Sequence, residues 1–243
     1  MTPVIETGHL QQALSLAQTL LDADCNRVGK IDGEPGTGKS TISRYLVQQL
    51  HAVRLCAYQG ISTKALMMDL CTALGDDARP GTAAAQTARL KPLVRNRLVI
   101  VDEANHLKWQ QLEGLRYLAD EAGMALLLIG TDLMNRQFRT PQTGVYLAQQ
   151  ASRIGSKTLR LTRIRRLEEL VAYMIQPRFG KVDKPTAKRF QEITKGYWRE
   201  GYELAQACQR LMRLQDLSQL TLEVVEAAAA CMADARIGSR GME

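Results

Sequence analysis

Eight consecutive residues, Gly33-Glu34-Pro35-Gly36-Thr37-Gly38-Lys39-Ser40, satisfy the spacing G-x-x-x-x-G-K-S in full. Glycines at these positions let the backbone curl so that successive N–H groups converge on an anion. A helix beginning at Ser40 would add its positive N-terminal end. The chemistry implied is triphosphate binding. Lys39 would reach the β- and γ-phosphates, Ser40 would ligate Mg²⁺, and Glu34, Pro35, Gly36, Thr37, Gly38 and Thr41 would line the same nucleotide. About sixty residues later the run Leu98-Val-Ile-Val ends in Asp102-Glu103. Four apolar residues followed by two carboxylates describe a buried strand that delivers acids at its C-terminal edge, where ligands sit in open α/β sheets. Asp102 would hold the Mg²⁺ shell, and Glu103 would polarise the attacking water. Together the two motifs imply Mg²⁺-dependent hydrolysis of a nucleoside triphosphate.

These residues need elements to hold them, and the hydrophobic pattern supplies candidates. An amphipathic helix over 9–21 is followed by strands at 28–31, 53–57, 97–101, 124–129 and 158–162. Helical patterns lie between them, at 40–50, 63–74, 83–94, 107–121 and 145–151. Apolar strands alternating with helices mean an α/β fold with a parallel five-stranded sheet covered on both faces. Beyond about residue 165 the strand signal stops, and 167–175, 185–194, 202–214 and 222–233 read as helices. The expected organisation is therefore an ATPase domain over 1–164 and an all-α domain over 165–243.

Within the phosphate-binding proteins, Gly-Glu-Pro-Gly-Thr-Gly-Lys-Ser followed by Val-Asp-Glu-Ala-Asn-His-Leu resembles the AAA+ superfamily. That resemblance implies a small helical lid at the C-terminus and three further site residues. Thr131, after the fourth strand, matches the sensor-1 position. Arg153, in Ser152-Arg153-Ile154, matches the arginine finger. Arg199, in Gly196-Tyr-Trp-Arg199, matches the G-x-x-R of sensor 2. Among AAA+ proteins the acidic motif and the Ser-Arg-Ile segment look most like the transposition ATPases, the family of the phage Mu B protein, TniB and TnsC. Members of that family assemble on target DNA with ATP and hand it to a transposase. The implied partners are double-stranded DNA bound with little sequence preference, a transposase, and further copies of the chain in a filament or ring. ATP and Mg²⁺ are the implied cofactors. The family's DNA-facing segment corresponds to Gln59–Lys64, with Thr63 and Lys64 as the expected phosphate contacts. Capping of the following helix by Ser62 or Thr63 explains the same spacing. A helicase-loader or insertion-sequence helper ATPase of the DnaC/IstB type is the first alternative. A secretion or signalling ATPase of the ExeA type is the second.

Charge agrees with a polyanion partner. The chain of 243 residues carries a formal net charge of +7, and residues 155–243 hold 16 basic against 11 acidic groups. Arg79, Arg89, Lys91, Arg95 and Arg97 could extend a phosphate track, as could Arg160, Arg163, Arg165 and Arg166. Aromatics make up 5%, which disfavours stacking on single strands. The longest apolar run is too short for a membrane span, and no secretory signal is visible. Five scattered cysteines, none in C-x-x-C spacing, read as reduced thiols of a cytoplasmic protein. Three histidines without ligand spacing make a zinc site a poor reading.

Overall fold

Strands Leu98–Asp102 (β3) and Ala125–Gly130 (β4) are buried at every position. Their side chains alternate between two apolar layers, as a strand covered on both faces requires. Leu98, Ile100, Ala125, Leu127 and Ile129 join Leu10, Ala13, Ala17 and Leu20 of helix Gly8–Asp22 (α1) and Ile42 and Leu46 of helix Lys39–Leu50 (α2). Val99, Val101, Leu126 and Leu128 join the opposite layer. That layer is built by helices Thr63–Ala73 (α3), Ala83–Leu93 (α4), Trp109–Ala122 (α5) and Pro141–Ile154 (α7). Strands Val28–Gly33 (β1), Val53–Cys56 (β2) and Thr158–Leu161 (β5) complete a parallel sheet of order β2-β3-β4-β1-β5. The register pairs Val53 with Val99, Leu98 with Ala125, Val28 with Leu126 and Lys30 with Thr158. The expected α/β class and five parallel strands are observed.

The computed structural model describes residues 5–77 and 80–240. The chain divides into two compact units, Met1–Pro35 with Lys39–Leu161, and Gly36–Gly38 with Thr162–Glu243. The second unit is helical: Leu167–Leu170 (α8), Gln176–Phe179 (α9), Lys184–Thr194 (α10), Trp198–Leu214 (α11) and Leu222–Arg240 (α12). Its core gathers Leu170, Met174, Ile175, Phe190, Leu204, Cys208 and Val225. The Ile164 N–H donates to Gly196 O at 2.9 Å. Gly196 has φ +77°, and a Cβ there would lie 1.9 Å from Ile164 O, so only glycine fits. The Trp198 N–H donates to Gly36 O at 2.9 Å, which accounts for the grouping of Gly36–Gly38 with this unit.

Two elements depart from the sequence reading. Asp132–Arg139 is a helix (α6) that the periodicity did not disclose, because it is short, polar and buries one residue, Met134. The helix expected over 167–175 runs on to Phe179 through a π-turn at Val171–Ile175. Pro177 lacks the N–H that an α-turn would direct to Tyr173, so the ladder widens locally. Among the described residues, no helix is long and apolar enough to cross a membrane.

Candidate nucleotide site at the strand ends

β1 runs directly into the glycine-rich loop, and α2 starts at Lys39 as the loop ends. Gly36 and Gly38 have φ of +80° and +94°. In that left-handed region a side chain is disfavoured, and the curl it produces is what turns N–H groups inward. Lys39 is 7% exposed, and its Nζ donates to Gly33 O and Glu34 O, each at 2.8 Å. The ammonium is thus carried across the loop on the loop's own carbonyls. Thr37 is buried as well, at 2% exposure.

The acidic pair lies two strands away from β1, at the end of β3. Asp102 is 1% exposed. Its Oδ1 accepts the Glu103 N–H at 3.0 Å, and its Oδ2 accepts from Ser43 Oγ at 3.0 Å and Arg54 Nη2 at 2.7 Å. Its main-chain carbonyl accepts the Ala57 N–H at 2.8 Å. Glu103 has φ +55°, an uncommon conformation for a residue with a Cβ, with strain of order 1 kcal/mol. The kink ends the strand and begins the 3-10 turn Ala104–His106, so Asp102 and Glu103 face differently.

β4 delivers the third group. Thr131 follows Gly130, and its N–H donates to Asn105 Oδ1 at 3.0 Å. A Cβ on Gly130 would lie 2.9 Å from the same Oδ1, so a glycine is needed for the β3–α5 loop to approach. Thr131 Oγ1 is buried without a hydrogen-bond partner in the protein. An orphaned hydroxyl at a strand end, beside a glycine cradle and a buried carboxylate, fits an oxygen-rich ligand. The Ser40 hydroxyl and the Asp102 carboxylate are hard oxygen donors of the kind Mg²⁺ prefers. Among the described residues no group of three histidine, cysteine or acidic side chains could hold a metal by itself.

The other expected site residues fall elsewhere. Arg153 sits in the last turn of α7, where its Nε donates to Asp120 Oδ1 at 2.7 Å and its Nη1 to Gln149 O at 3.1 Å. Arg199 is exposed in the first turn of α11. Ser62, rather than Thr63, caps α3 by accepting the Ala65 N–H at 3.1 Å. Lys64 is exposed beyond it, and so is Tyr58 at 53%. Several basic residues of the supposed track are engaged locally. Arg89 pairs with Asp76 at 2.6 Å, Arg160 with Asp132 at 2.9 Å, and Arg163 lies over the Tyr197 ring. Arg79 lies outside the described residues. Sequence reasoning missed Arg54, Ser43 and Asn105. A basic residue in a short apolar strand, four residues after a helix, was the available sign of the first.

A phosphate-binding loop on β1, acids ending β3, and a polar residue ending β4 of a 2-3-4-1-5 parallel sheet define an AAA+ ATPase fold, and residues 24–138 match the family described as AAA domain. Known structures share the fold across most of the chain. The Aeropyrum pernix ORC2 protein superposes with a TM-score of 0.68 at 16% identity, covering 95% of this chain and 69% of that one. A Thermotoga maritima RuvB mutant gives 0.60 at 17% identity, covering 94% and 71%. Among curated proteins the chain is similar to the Mu-like prophage FluMu DNA transposition protein B of Haemophilus influenzae, 27% identical over 196 residues. It is also 33% identical over 144 residues to General secretion pathway protein A of Aeromonas hydrophila. The matches cover 78% and 52% of this chain, but 66% and 25% of those relatives, less than two thirds of either.

Proposed function

We propose that this chain is a Mg²⁺-dependent ATPase of DNA transposition. It assembles on duplex DNA with ATP, selects that DNA as target and delivers it to a transposase, and hydrolysis dismantles the assembly. The similarity to a transposition protein B over 78% of the chain carries the reading. The intact phosphate loop and acidic strand end support its enzymatic half.

In this mechanism Lys39 exchanges its contacts with Gly33 O and Glu34 O for phosphate oxygens. The N–H groups of Glu34 to Thr41, Pro35 excepted, hold the β-phosphate. Ser40 and Asp102 would hold Mg²⁺, whose charge would offset that developing on the phosphates. Glu103, aimed away from Asp102 by its left-handed backbone, takes the proton of the attacking water. Thr131 offers its orphaned hydroxyl to the γ-phosphate or that water. Arg153 of a neighbouring copy stabilises the transferred phosphoryl group in trans, and Arg199 contributes from the lid. Thr63 and Lys64 lie against the DNA backbone, where contacts position the protein without reading sequence.

Electron microscopy of the protein on duplex DNA, with and without ATP, tests this reading. Filaments or rings with ATP and bare DNA without it are expected. Absence of DNA binding with any nucleotide overturns it. The relative of the secretion pathway favours a second reading only for the nucleotide-binding half, since the match spans a quarter of that protein.

A further inference from the structure

Arg54 stands on β2, in register with Ile100 of β3, and Cys56 is in register with Asp102. Residues two apart on a strand share a face, so Arg54 and Asp102 project from the same side of the sheet, toward α2. There the guanidinium spans two acceptors. Its Nη2 donates to Asp102 Oδ2 at 2.7 Å and its Nε to Ser43 Oγ at 2.9 Å. Ser43 is fully buried, and its single proton lies between Asp102 Oδ2 and Ser40 O, each 3.0 Å away. One fork therefore ties the edge strand, the helix after the phosphate loop and the acidic strand end together. Lys39 lies within the same two turns of α2, yet Asp102 takes its cation from the sheet edge.

We propose that Arg54 is a positioning residue that shares Asp102 with Mg²⁺ and so raises the Mg²⁺ concentration at which the site binds nucleotide. The proposal rests on the reading of Asp102 as a Mg²⁺ contact given above. Oδ2 is committed to two donors, while Oδ1 accepts one N–H and retains a lone pair. A metal held through this carboxylate, directly or through water, has a fixed positive charge on the other oxygen. Arginine carries that charge at every working pH. Two cations on one carboxylate repel, and the pair is largely shielded from water: the Arg54 side chain is 25% exposed and the Asp102 side chain 1%. The same fork fixes the carboxylate rotamer, so Arg54 orients the ligand and weakens its hold at once.

The test is a Mg²⁺ titration of fluorescent ATP-analogue binding to the full chain as wild type, Arg54→Gln and Arg54→Lys. The Mg²⁺ midpoint of Arg54→Gln should fall on the order of tenfold, because the competing charge is gone. Arg54→Lys keeps the charge but loses the fork, and its midpoint should lie between those of wild type and Arg54→Gln. An unchanged or higher midpoint in Arg54→Gln overturns the proposal. Should Arg54→Gln not fold, the Arg54 Nε–H resonance of the wild type decides: it should shift when Mg²⁺ is added to nucleotide-bound protein, and constancy overturns the proposal. Wild-type binding that ignores Mg²⁺ altogether overturns the underlying reading of Asp102, an outcome distinct from a wild-type response that Arg54→Gln merely reproduces.

Discussion

Arg153 of α7 is bound to Asp120 of α5, Nε to Oδ1 at 2.7 Å, and Arg116 of α5 holds the other oxygen of the same carboxylate. Arg116 also grips Glu113, one turn earlier. The head of Arg153 is therefore anchored within its own chain, on a small mixed-charge network at 25% side-chain exposure. A residue proposed to reach a neighbour's phosphate must first leave that anchor.

Arg153→Ala should still bind ATP but lose DNA-stimulated hydrolysis and assembly together, a rate loss of about 10³–10⁵ if the finger acts in trans. Asp120→Asn removes the anchor without touching the finger and should raise ATP hydrolysis in the absence of DNA. Turnover assays and sedimentation check both. Normal DNA-stimulated turnover in Arg153→Ala would move the finger elsewhere, with exposed Arg139 at the end of α6 next in line. Mixing Arg153→Ala with Glu103→Gln should restore partial activity, because some interfaces then pair an intact finger with an intact base.

Lys39→Ala should abolish ATP binding, measured by equilibrium binding of a fluorescent analogue. Glu103→Gln should bind ATP normally and slow hydrolysis by about 10²–10⁴. The amide matches the carboxylate in size and the backbone kink is unaffected, so a fall in melting temperature is not expected. Persistent DNA complexes should accompany the slow turnover.

Lys64 is exposed at the start of α3 and no side-chain partner restrains it among the described contacts. Lys64→Ala should weaken binding to all duplexes alike. Its log–log salt slope should be shallower than the wild type's by about one, since each neutralised phosphate contributes about −0.9. Equal slopes for the two proteins would remove Lys64 from the DNA contact.

The cysteines give a check on the cores. Cys25, Cys56 and Cys231 are exposed, whereas Cys71 and Cys208 are buried. Burial pushes the Cys71 thiol up and the Cys208 thiol up to about 12 from 9.0. Native protein should therefore label quickly at three thiols and at all five only after denaturation. The folded protein holds the Cys208 proton more tightly than the unfolded chain does. Stability from neutral Cys208 is whole below pH 9 and is lost as pH rises toward 12. Cys208→Ala should flatten that alkaline loss, a slope of at most about 1.4 kcal/mol per pH unit.

Much of this was legible in residue order because the signals were local. The phosphate loop, the acidic strand end and the apolar strands each declare themselves within a few neighbours, and two-sided burial makes β3 and β4 uninterrupted apolar runs. Long-range pairings left weaker marks. Arg54 reads as one polar residue in a four-residue strand until the register sets it beside Asp102, 48 positions later. Asn105 is anonymous until β4 brings Thr131 N–H to it. Gly196 opens the G-x-x-R spacing, and its close approach to Ile164 gives the glycine a structural reason independent of that motif. α6 escaped because it is little more than two turns long, and its inward stripe is only Met134 and Phe138.

The sheet ends in two short borders, β2 and β5, four residues each. The rim strands carry Arg54 on one side and Arg160 on the other, each bonded to an acid. Abbreviated, charged rims are poor templates for a foreign strand. Copies of this protein are thereby steered away from fusing edge to edge into a continuous sheet, an association that would be hard to reverse. Any polymer it forms must be joined through helices, loops and side chains. Joints of that kind can be made and undone with the state of a bound nucleotide, as the assembly on DNA proposed above requires.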